Sequence, residues 1–389
     1  MQTFLSVPCT QLRAFIAVIC FCLGQHLSGA PGWPSQYAKK LSCYANGIAR
    51  ELPTIGTGTP PYKLGLEITM TTIAAPQDTP SQLPSLAPAI IRSSVRQHSI
   101  KVEICSPAIG AEVSNINLAD AAQDPDLIAE IRALWLKHKV LFFRDQDITP
   151  TEQQHFAAQF GELEGHPLAP SHPEADKLLM LYRNLDPSKP KSFVEKASRE
   201  NLWHTDVTFK PAPPRGAILR CEQGPESGGD TLFSNMVMAY ENLPDTIKQR
   251  IEGLFAKHSA EHSFGAQLPR EQRHAMAAKN PAAEHPVVLI HPETGEKVLF
   301  VNSAFTTHFS NFFNFEDIRY GQDFMPEAHH LMNYLTSQAA IPEYQVRLKW
   351  RTNTIAMWDN LQVQHYAVAD YGNAPRKMLR ATLAGTPLT

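Results

Sequence analysis

Two short stretches, far apart in the chain, carry the residues that most restrict how it can fold. His204-Thr205-Asp206 lies in the run Asn201-Leu202-Trp203-His204-Thr205-Asp206-Val207-Thr208-Phe209, and His365 lies in Trp358-Asp359-Asn360-Leu361-Gln362-Val363-Gln364-His365-Tyr366-Ala367. In extended backbone, residues two apart project from the same side, so an imidazole and a carboxylate at that spacing reach one ion. H-x-D alone is weak evidence, because it recurs by chance and usually marks an ordinary surface or core histidine. With His365 added, the donor set becomes two nitrogens and one carboxylate, the facial set that leaves three positions open on a non-heme Fe(II) ion. A fold that uses this set must bring the two distant stretches side by side.

The rest of the chain is compatible with such a fold. Its 389 residues suffice for one large domain or two smaller ones, and a net charge of −3 offers no basic field for nucleic acid or an anionic membrane. Thirty-one prolines point to many turns rather than a helical bundle. Of the six cysteines, four precede residue 44, and the other two (Cys105 and Cys221) form no C-x-x-C pair, which argues against a zinc site or a disulfide scaffold and suits a reducing compartment. Ordered sequence is expected from His98. Ile100–Ile104 alternates as a half-buried strand does. Asp124–His138 carries Leu127, Ile128, Ile131, Leu134 and Trp135 at helical spacing. Lys139–Phe143 reads as a buried strand, and Thr149-Pro150-Thr151-Glu152 opens a helix that runs to about Phe160. Further strands are expected at Ala217–Leu219, Thr231–Phe233, on either side of a four-residue turn at Pro292–Gly295, at Tyr344–Trp350, Thr354–Trp358 and Arg376–Ala384. Helices are expected at 244–254, within 265–280 and at 326–338. Mainly β structure with helical insertions fits a double-sheet jelly roll.

The two motifs, together with Phe143-Arg144-Asp145-Gln146, Phe160-Gly161-Glu162-Leu163, Gly228-Gly229-Asp230-Thr231-Leu232, Leu299-Phe300-Val301-Asn302 and an arginine eleven residues after His365, closely resemble the TauD/TfdA family of dioxygenases. The resemblance covers residues 98–386. It implies a clavaminate synthase-like double-stranded β-helix, Fe(II), 2-oxoglutarate as cosubstrate and O2. Carried over position by position, His204, Asp206 and His365 match the iron ligands. Arg376 and Thr231 match the groups that hold the distal carboxylate of 2-oxoglutarate, a task suited to a bidentate guanidinium. Arg380 and His166 match the positions that bind the anionic head of the substrate, and Phe209 and Phe264 match aromatics that line its pocket. Taken alone, the two phenylalanines would be read as core, and Trp350 and Trp358 are read as packing.

The reaction implied is hydroxylation of the carbon beside a sulfonate, such as taurine or an alkanesulfonate, with release of sulfite and an aldehyde alongside succinate and CO2. Alternatives are an alkylsulfatase-type dioxygenase acting on alkyl sulfate esters, a dioxygenase of aryloxyalkanoate-like carboxylates, or a metal-binding jelly roll without turnover. Two departures from the taurine enzyme bear on the choice. Ala169 stands where an aromatic is usual, and the polar stretch before Asn201, with Glu200 near the position of an amine-contacting asparagine, replaces an Asn-rich lid. The expected partner is a small anionic molecule, not nucleic acid or a membrane, and a homo-oligomer is implied.

Residues 1–97 are expected to be a largely disordered N-terminal extension. Ala14–Gly24 is an apolar run behind Arg13, as in a secretory signal, with small residues at Ser28-Gly29-Ala30. The reading preferred here is that the native chain starts at Met70, because the implied chemistry uses cytosolic reagents, and a cytoplasmic location follows. Residues 98–389 are expected to form the catalytic domain.

Overall fold

The computed structural model describes residues 100–165, 171–185, 201–265, 268–312 and 326–388. The expectations for residues 1–97, for the loop around His166 and Ala169, and for most of the stretch before Asn201, Glu200 included, lie outside those residues. In chain order the strands are β1 (Lys101–Ile104), β2 (Ala111–Ser114), β3 (Val140–Phe143), β4 (Ser171–His172), β5 (Ala175–Arg183), β6 (Gly216–Gln223), β7 (Thr231–Asn235), β8 (Phe255–His258), β9 (Ala283–Pro286), β10 (Val288–Ile290), β11 (Lys297–Leu299), β12 (Thr306–Phe309), β13 (Gln345–Leu348), β14 (Ile355–Asp359), β15 (Val363–Ala367) and β16 (Arg376–Leu383). The helices are α1 (Leu118–Ala121), α2 (Pro125–His138), α3 (Pro150–Ala158), α4 (Met236–Glu241), α5 (Asp245–Ile251), α6 (Ala260–Ser263), α7 (Arg270–Lys279) and α8 (Pro326–Ser337). Among the described residues no helix is long and apolar enough to cross a membrane.

An eight-stranded sheet runs β1-β2-β3-β14-β6-β16-β5-β4, and a three-stranded sheet runs β13-β7-β15. A second three-stranded sheet, β12-β8-β9, and the hairpin β10-β11 complete the β structure of the described residues. Pairings are antiparallel except β2 with β3. The alternation of β14 shows how the large sheet is covered. Ile355 and Met357 enter one apolar cluster with Ile131 and Trp135 of α2 and Phe156 of α3. Ala356 and Trp358, on the opposite face, enter another with Phe233, Val346, Leu348 and Val363 of the β13-β7-β15 sheet. Helices thus pack on one face and a second sheet on the other, and β14, buried along its whole length, runs through the middle.

Local sequence accounts for the early helices. The Asp124 carboxylate accepts from Asp126 N and Leu127 N, Pro125 takes the first turn, and α2 buries Leu127, Ile131 and Trp135. Thr149 and Glu152 form the expected reciprocal cap of α3. That helix stops at Ala158 rather than near Phe160, because Gln159 N and Phe160 N turn back to Phe156 O and Ala157 O. The four-residue turn at Pro292–Gly295 is closed by His291 N donating to Glu296 O at 2.8 Å, with Gly295 at φ +72°. β2, β4, β5, β8, β9, β12 and β15 were not anticipated. β15 matters most, since it carries His365.

Candidate active site

β15 lies beside β7 with His365 opposite Phe233. On its other side the chain around His204 adds itself as a short strand extension: His204 N donates to His365 O at 3.1 Å, and His365 N donates to His204 O at 2.8 Å. The two motifs are therefore stitched together through the main chain, and the two imidazole centroids lie 4.0 Å apart. The extended backbone expected through His204-Thr205-Asp206 ends early. Asp206 lies in a turn, and Val207 takes φ +54°, unusual for a β-branched residue. Asn360 fixes that turn. Its Oδ1 accepts from Asp206 N at 2.9 Å, and its Nδ2 donates to Asp206 O at 3.1 Å and Pro214 O at 2.9 Å. Asn360 stands inside the second motif, yet nothing in the sequence indicated that it would grip the first.

The side chains of His204, Asp206 and His365 are all buried, and one ligand atom from each lies within 4.8 Å of the others. Asp206 Oδ1 is 4.0 Å from His204 Nε2, and Asp206 Oδ2 is 4.0 Å from His365 Nε2. His204 Nδ1 sits 2.7 Å from Leu202 O. A carbonyl only accepts, so the ring proton belongs on Nδ1 and Nε2 keeps its lone pair for a metal. Two imidazole nitrogens and one carboxylate, buried and close together, suit a redox-active divalent ion such as Fe(II).

Arg376, Met378 and Arg380 share one face of β16, the face turned toward the second sheet, where Met378 packs with Trp358 and Phe233. Arg380 Nη1 donates to Asp206 Oδ2 at 2.9 Å. The family resemblance assigns Arg380 to a substrate head group; the structure shows it anchoring a candidate metal ligand. Arg376 is 4 % exposed, and among the described residues it makes no hydrogen bond or ion pair, only a ring contact with Tyr371 at 5.8 Å. Burial pushes the nearby Cys221 thiol up to about 11, and the Arg376 charge pulls the other way. A buried guanidinium without a counter-charge is costly unless an anion joins it.

Thr231 is buried at the start of β7, and its hydroxyl accepts from Trp350 Nε1 at 2.9 Å. Trp350 is thus more than packing: by occupying a lone pair of the oxygen it turns the Thr231 proton elsewhere. The Gly228-Gly229 turn before it has both residues at positive φ. A side chain at Gly228 would meet Asp370 Oδ1 at 2.7 Å, and Asp370 Oδ1 accepts from Gly229 N.

Phe209 and Phe264 form an aromatic group with Phe305, at centroid distances of 6.1 Å (Phe209–Phe264), 5.4 Å (Phe209–Phe305) and 5.8 Å (Phe264–Phe305). Phe305 also stands edge-on to His204 at 6.4 Å, nearer the candidate ligands than the sequence suggested, and only its position after Leu299–Asn302 could have signalled it. Phe209 is 2 % exposed, while Phe264 is half-buried. Trp358 packs on His365 at 4.9 Å. His166 lies outside the described residues.

Comparison with known proteins agrees with this arrangement. The model of the family described as "Taurine catabolism dioxygenase TauD, TfdA family" matches residues 101–382. An alkylsulfatase of Acinetobacter baylyi is 38 % identical over 290 residues, covering 72 % of this chain and 84 % of the relative. An alpha-ketoglutarate-dependent sulfate ester dioxygenase of Pseudomonas putida is 34 % identical over 302 residues, covering 74 % and 91 %. The crystal structure of a taurine dioxygenase from Burkholderia xenovorans superposes with a TM-score of 0.60 at 32 % identity, over 75 % of this chain and 91 % of that one. With a buried His-Asp-His cluster inside the matched span, the chain belongs to the TauD/TfdA family of dioxygenases dependent on alpha-ketoglutarate, that is, 2-oxoglutarate.

Proposed function

We propose that this chain is an Fe(II)-dependent dioxygenase that hydroxylates the carbon beside a sulfur oxyanion, with residues 98–389 forming a double-stranded β-helix as its catalytic domain. The observation that carries the reading is the convergence of His204, Asp206 and His365 in one buried cluster. Bound there, Fe(II) would supply a redox-active centre with positions open to a 2-oxo acid and O2.

The chain's own residues do the positioning. His204 and His365 present nitrogens, and Arg380 holds the Asp206 carboxylate in place. Arg376, without a partner among the described residues, receives the distal carboxylate of 2-oxoglutarate, and the Thr231 proton, directed by Trp350, is shared with it. Arg380 and His166 take the head group of the substrate, and Phe209, Phe264 and Phe305 wall in its carbon chain. Charge balances in this assignment: a divalent cation and two guanidinium groups match Asp206, dianionic 2-oxoglutarate and a monoanionic head. Fixing the head and the tail decides which C–H faces the metal.

With a sulfonate, the C–H gains one oxygen atom of O2, the adduct breaks its C–S bond, and an aldehyde and sulfite leave; 2-oxoglutarate takes the other oxygen and becomes succinate and CO2. With a sulfate ester, the adduct breaks its C–O bond and releases sulfate. The second reading is supported by the two relatives named for sulfate-ester substrates, at 38 % and 34 % identity. Cytoplasmic residence belongs to the same proposal, because 2-oxoglutarate and reduced iron are supplied there; homo-oligomeric assembly rests on the resemblance alone.

The test is Fe(II)-dependent succinate formation with taurine, pentanesulfonate, hexyl sulfate and phenoxyacetate, with sulfite and sulfate assayed in parallel. Succinate matched by sulfite or sulfate is the expected outcome, and which anion appears selects the head group. Succinate with phenoxyacetate alone would replace the sulfur substrate with a carboxylate. No succinate from any of the four would defeat the sulfur assignment.

A further inference from the structure

Behind the candidate metal loop lies a set of buried polar side chains to which the proposed reaction gives no task. Thr208, His258, His285, Asn302 and Thr306 are each 6 % exposed or less. Four of them come from β8, β9, the start of β12 and the residue that precedes its turn; His258, His285 and Asn302 meet Thr208, two residues after Asp206, and Thr306 joins His258 and Asn302. His285 Nε2 sits 2.7 Å from Thr208 O and 3.1 Å from Lys210 O. Both neighbours are carbonyls, so Nε2 carries the proton and donates to both. His258 Nδ1 lies 2.9 Å from Thr208 Oγ1, and Asn302 Nδ2 donates to the same hydroxyl at 3.3 Å. Thr208 is therefore gripped by its carbonyl and by its side chain, from two directions.

The same cluster reaches the aromatic wall. Asn302 Oδ1 accepts from Ala304 N at 3.2 Å and from Phe305 N at 2.9 Å, and Thr306 Oγ1 accepts from Asn302 N at 2.9 Å. One group of contacts thus sets both the strand end that presents Asp206 and the turn that presents Phe305.

Two imidazoles buried together, with ring centroids 5.1 Å apart, are an expensive way to fill a core. Burial holds His258 well below the usual histidine range, and it lowers His285 as well, so both stay neutral. What they secure is a strained turn. Val207 sits at φ +54° between Asp206 and Thr208, and such a residue keeps that conformation only where its surroundings over-determine it. Asn360 holds the Asp206 side of the turn, and the cluster holds the Thr208 side.

We propose that His285 is a positioning residue for the metal loop: by donating to Thr208 O and Lys210 O, and with His258 and Asn302 fastening the Thr208 hydroxyl, it keeps the Val207 turn in the form that presents Asp206 to the metal. The proposal rests on the reading of Asp206 as a metal ligand. It is tested by calorimetric titration of the full-length chain with Mn(II), a divalent stand-in that gives a readout independent of turnover. His285→Phe keeps a ring but cannot donate; His285→Gln can still offer an N–H to the carbonyls.

His285→Phe should bind Mn(II) about tenfold more weakly, and His285→Gln should stay within about threefold of the parent. Unchanged Mn(II) affinity in His285→Phe, even with a lower melting temperature, would make His285 an ordinary core residue and overturn the proposal. Equal losses in both variants would overturn the donor role. Should His285→Phe fail to fold, Thr208→Val is the second probe. It keeps the side-chain volume and removes the hydroxyl, so a threefold or greater loss is expected on the order of one hydrogen bond, and no loss overturns the proposal. A parent chain that binds no Mn(II) defeats the metal reading itself, an outcome distinct from equal binding by parent and variant.

Discussion

The two faces of β16 belong to one strand but follow opposite rules. On the side of α2 and α3, Leu379, Ala381 and Leu383 sit in a continuous apolar cluster. On the side of the second sheet, Met378 is the one apolar residue between Arg376 and Arg380, both at least nine-tenths buried. The helical face gains free energy from every side chain it buries, whereas the inner face spends some of it to hold two cations away from water. Buried charge also occurs on the helical side, and at Asp359 it is matched: Asp359 lies 2.6 Å from Arg215 Nη1 and 3.2 Å from His291 Nε2, and its oxygens accept from Leu361 N and Gln362 N. A matched buried charge is a structural device; an unmatched one is, on the proposed reading, a place kept for the distal carboxylate of 2-oxoglutarate.

That contrast can be broken most severely at Leu379. Leu379→Ala should cost about 2–5 kcal/mol of stability through lost burial and a residual cavity, read by urea unfolding, while the activity of each folded molecule stays near the parent value. The mirror experiment on the inner face is Arg376→Leu. The KM for 2-oxoglutarate should rise about 100-fold, as two charge-assisted hydrogen bonds are lost, with the unliganded protein as stable as the parent or more so. A destabilised Arg376→Leu protein with normal cosubstrate kinetics would erase the distinction between the faces.

Acid should find the matched charge next. Burial alone would raise the Asp359 carboxyl, but Arg215 and His291 outweigh it and hold the group at about 2, below its ordinary 3.8. A depressed folded-state value means the contribution is complete above about pH 4 and is lost as pH falls toward 2, on the order of 2 kcal/mol. Unfolding measured at pH 6 and pH 3 should show a larger acid loss for the parent than for Asp359→Asn. His258 adds a separate limb. Its folded value lies below the ordinary 6.5, so the unfolded chain binds the extra proton and stability declines as pH drops beneath about 6.5. The smallest effect is expected from Trp350→Phe, which removes one donor to Thr231. It should raise the KM for 2-oxoglutarate about two- to tenfold with kcat unchanged, and it should add nothing in a Thr231→Val background.

Much of the fold could be read along the chain wherever a local rule decides. Thr149 as a cap, the Trp135 stripe of α2, the Gly295 turn and the strands β14 and β16 depend on near neighbours in sequence, and these expectations held. β5 escaped because its run Ala175–Arg183 mixes buried, half-buried and exposed residues without clean alternation. β15 escaped because it is nearly all buried up to His365 and follows β14 after only three residues, so no change of period marked it.

The residue types of the site were set by the sequence alone: an imidazole and a carboxylate two positions apart, a second imidazole, and two arginines four apart on a strand. Their meeting was decided elsewhere. The His204–His365 bridge, the grip of Asn360 on Asp206, the anchoring of Asp206 by Arg380, the Trp350 bond to Thr231 and the place of Phe305 beside His204 all join residues more than a hundred positions apart. Spacing along a chain records what neighbours can do together. A contact across two packed sheets depends on register, and register is settled only when each strand has chosen which face to bury.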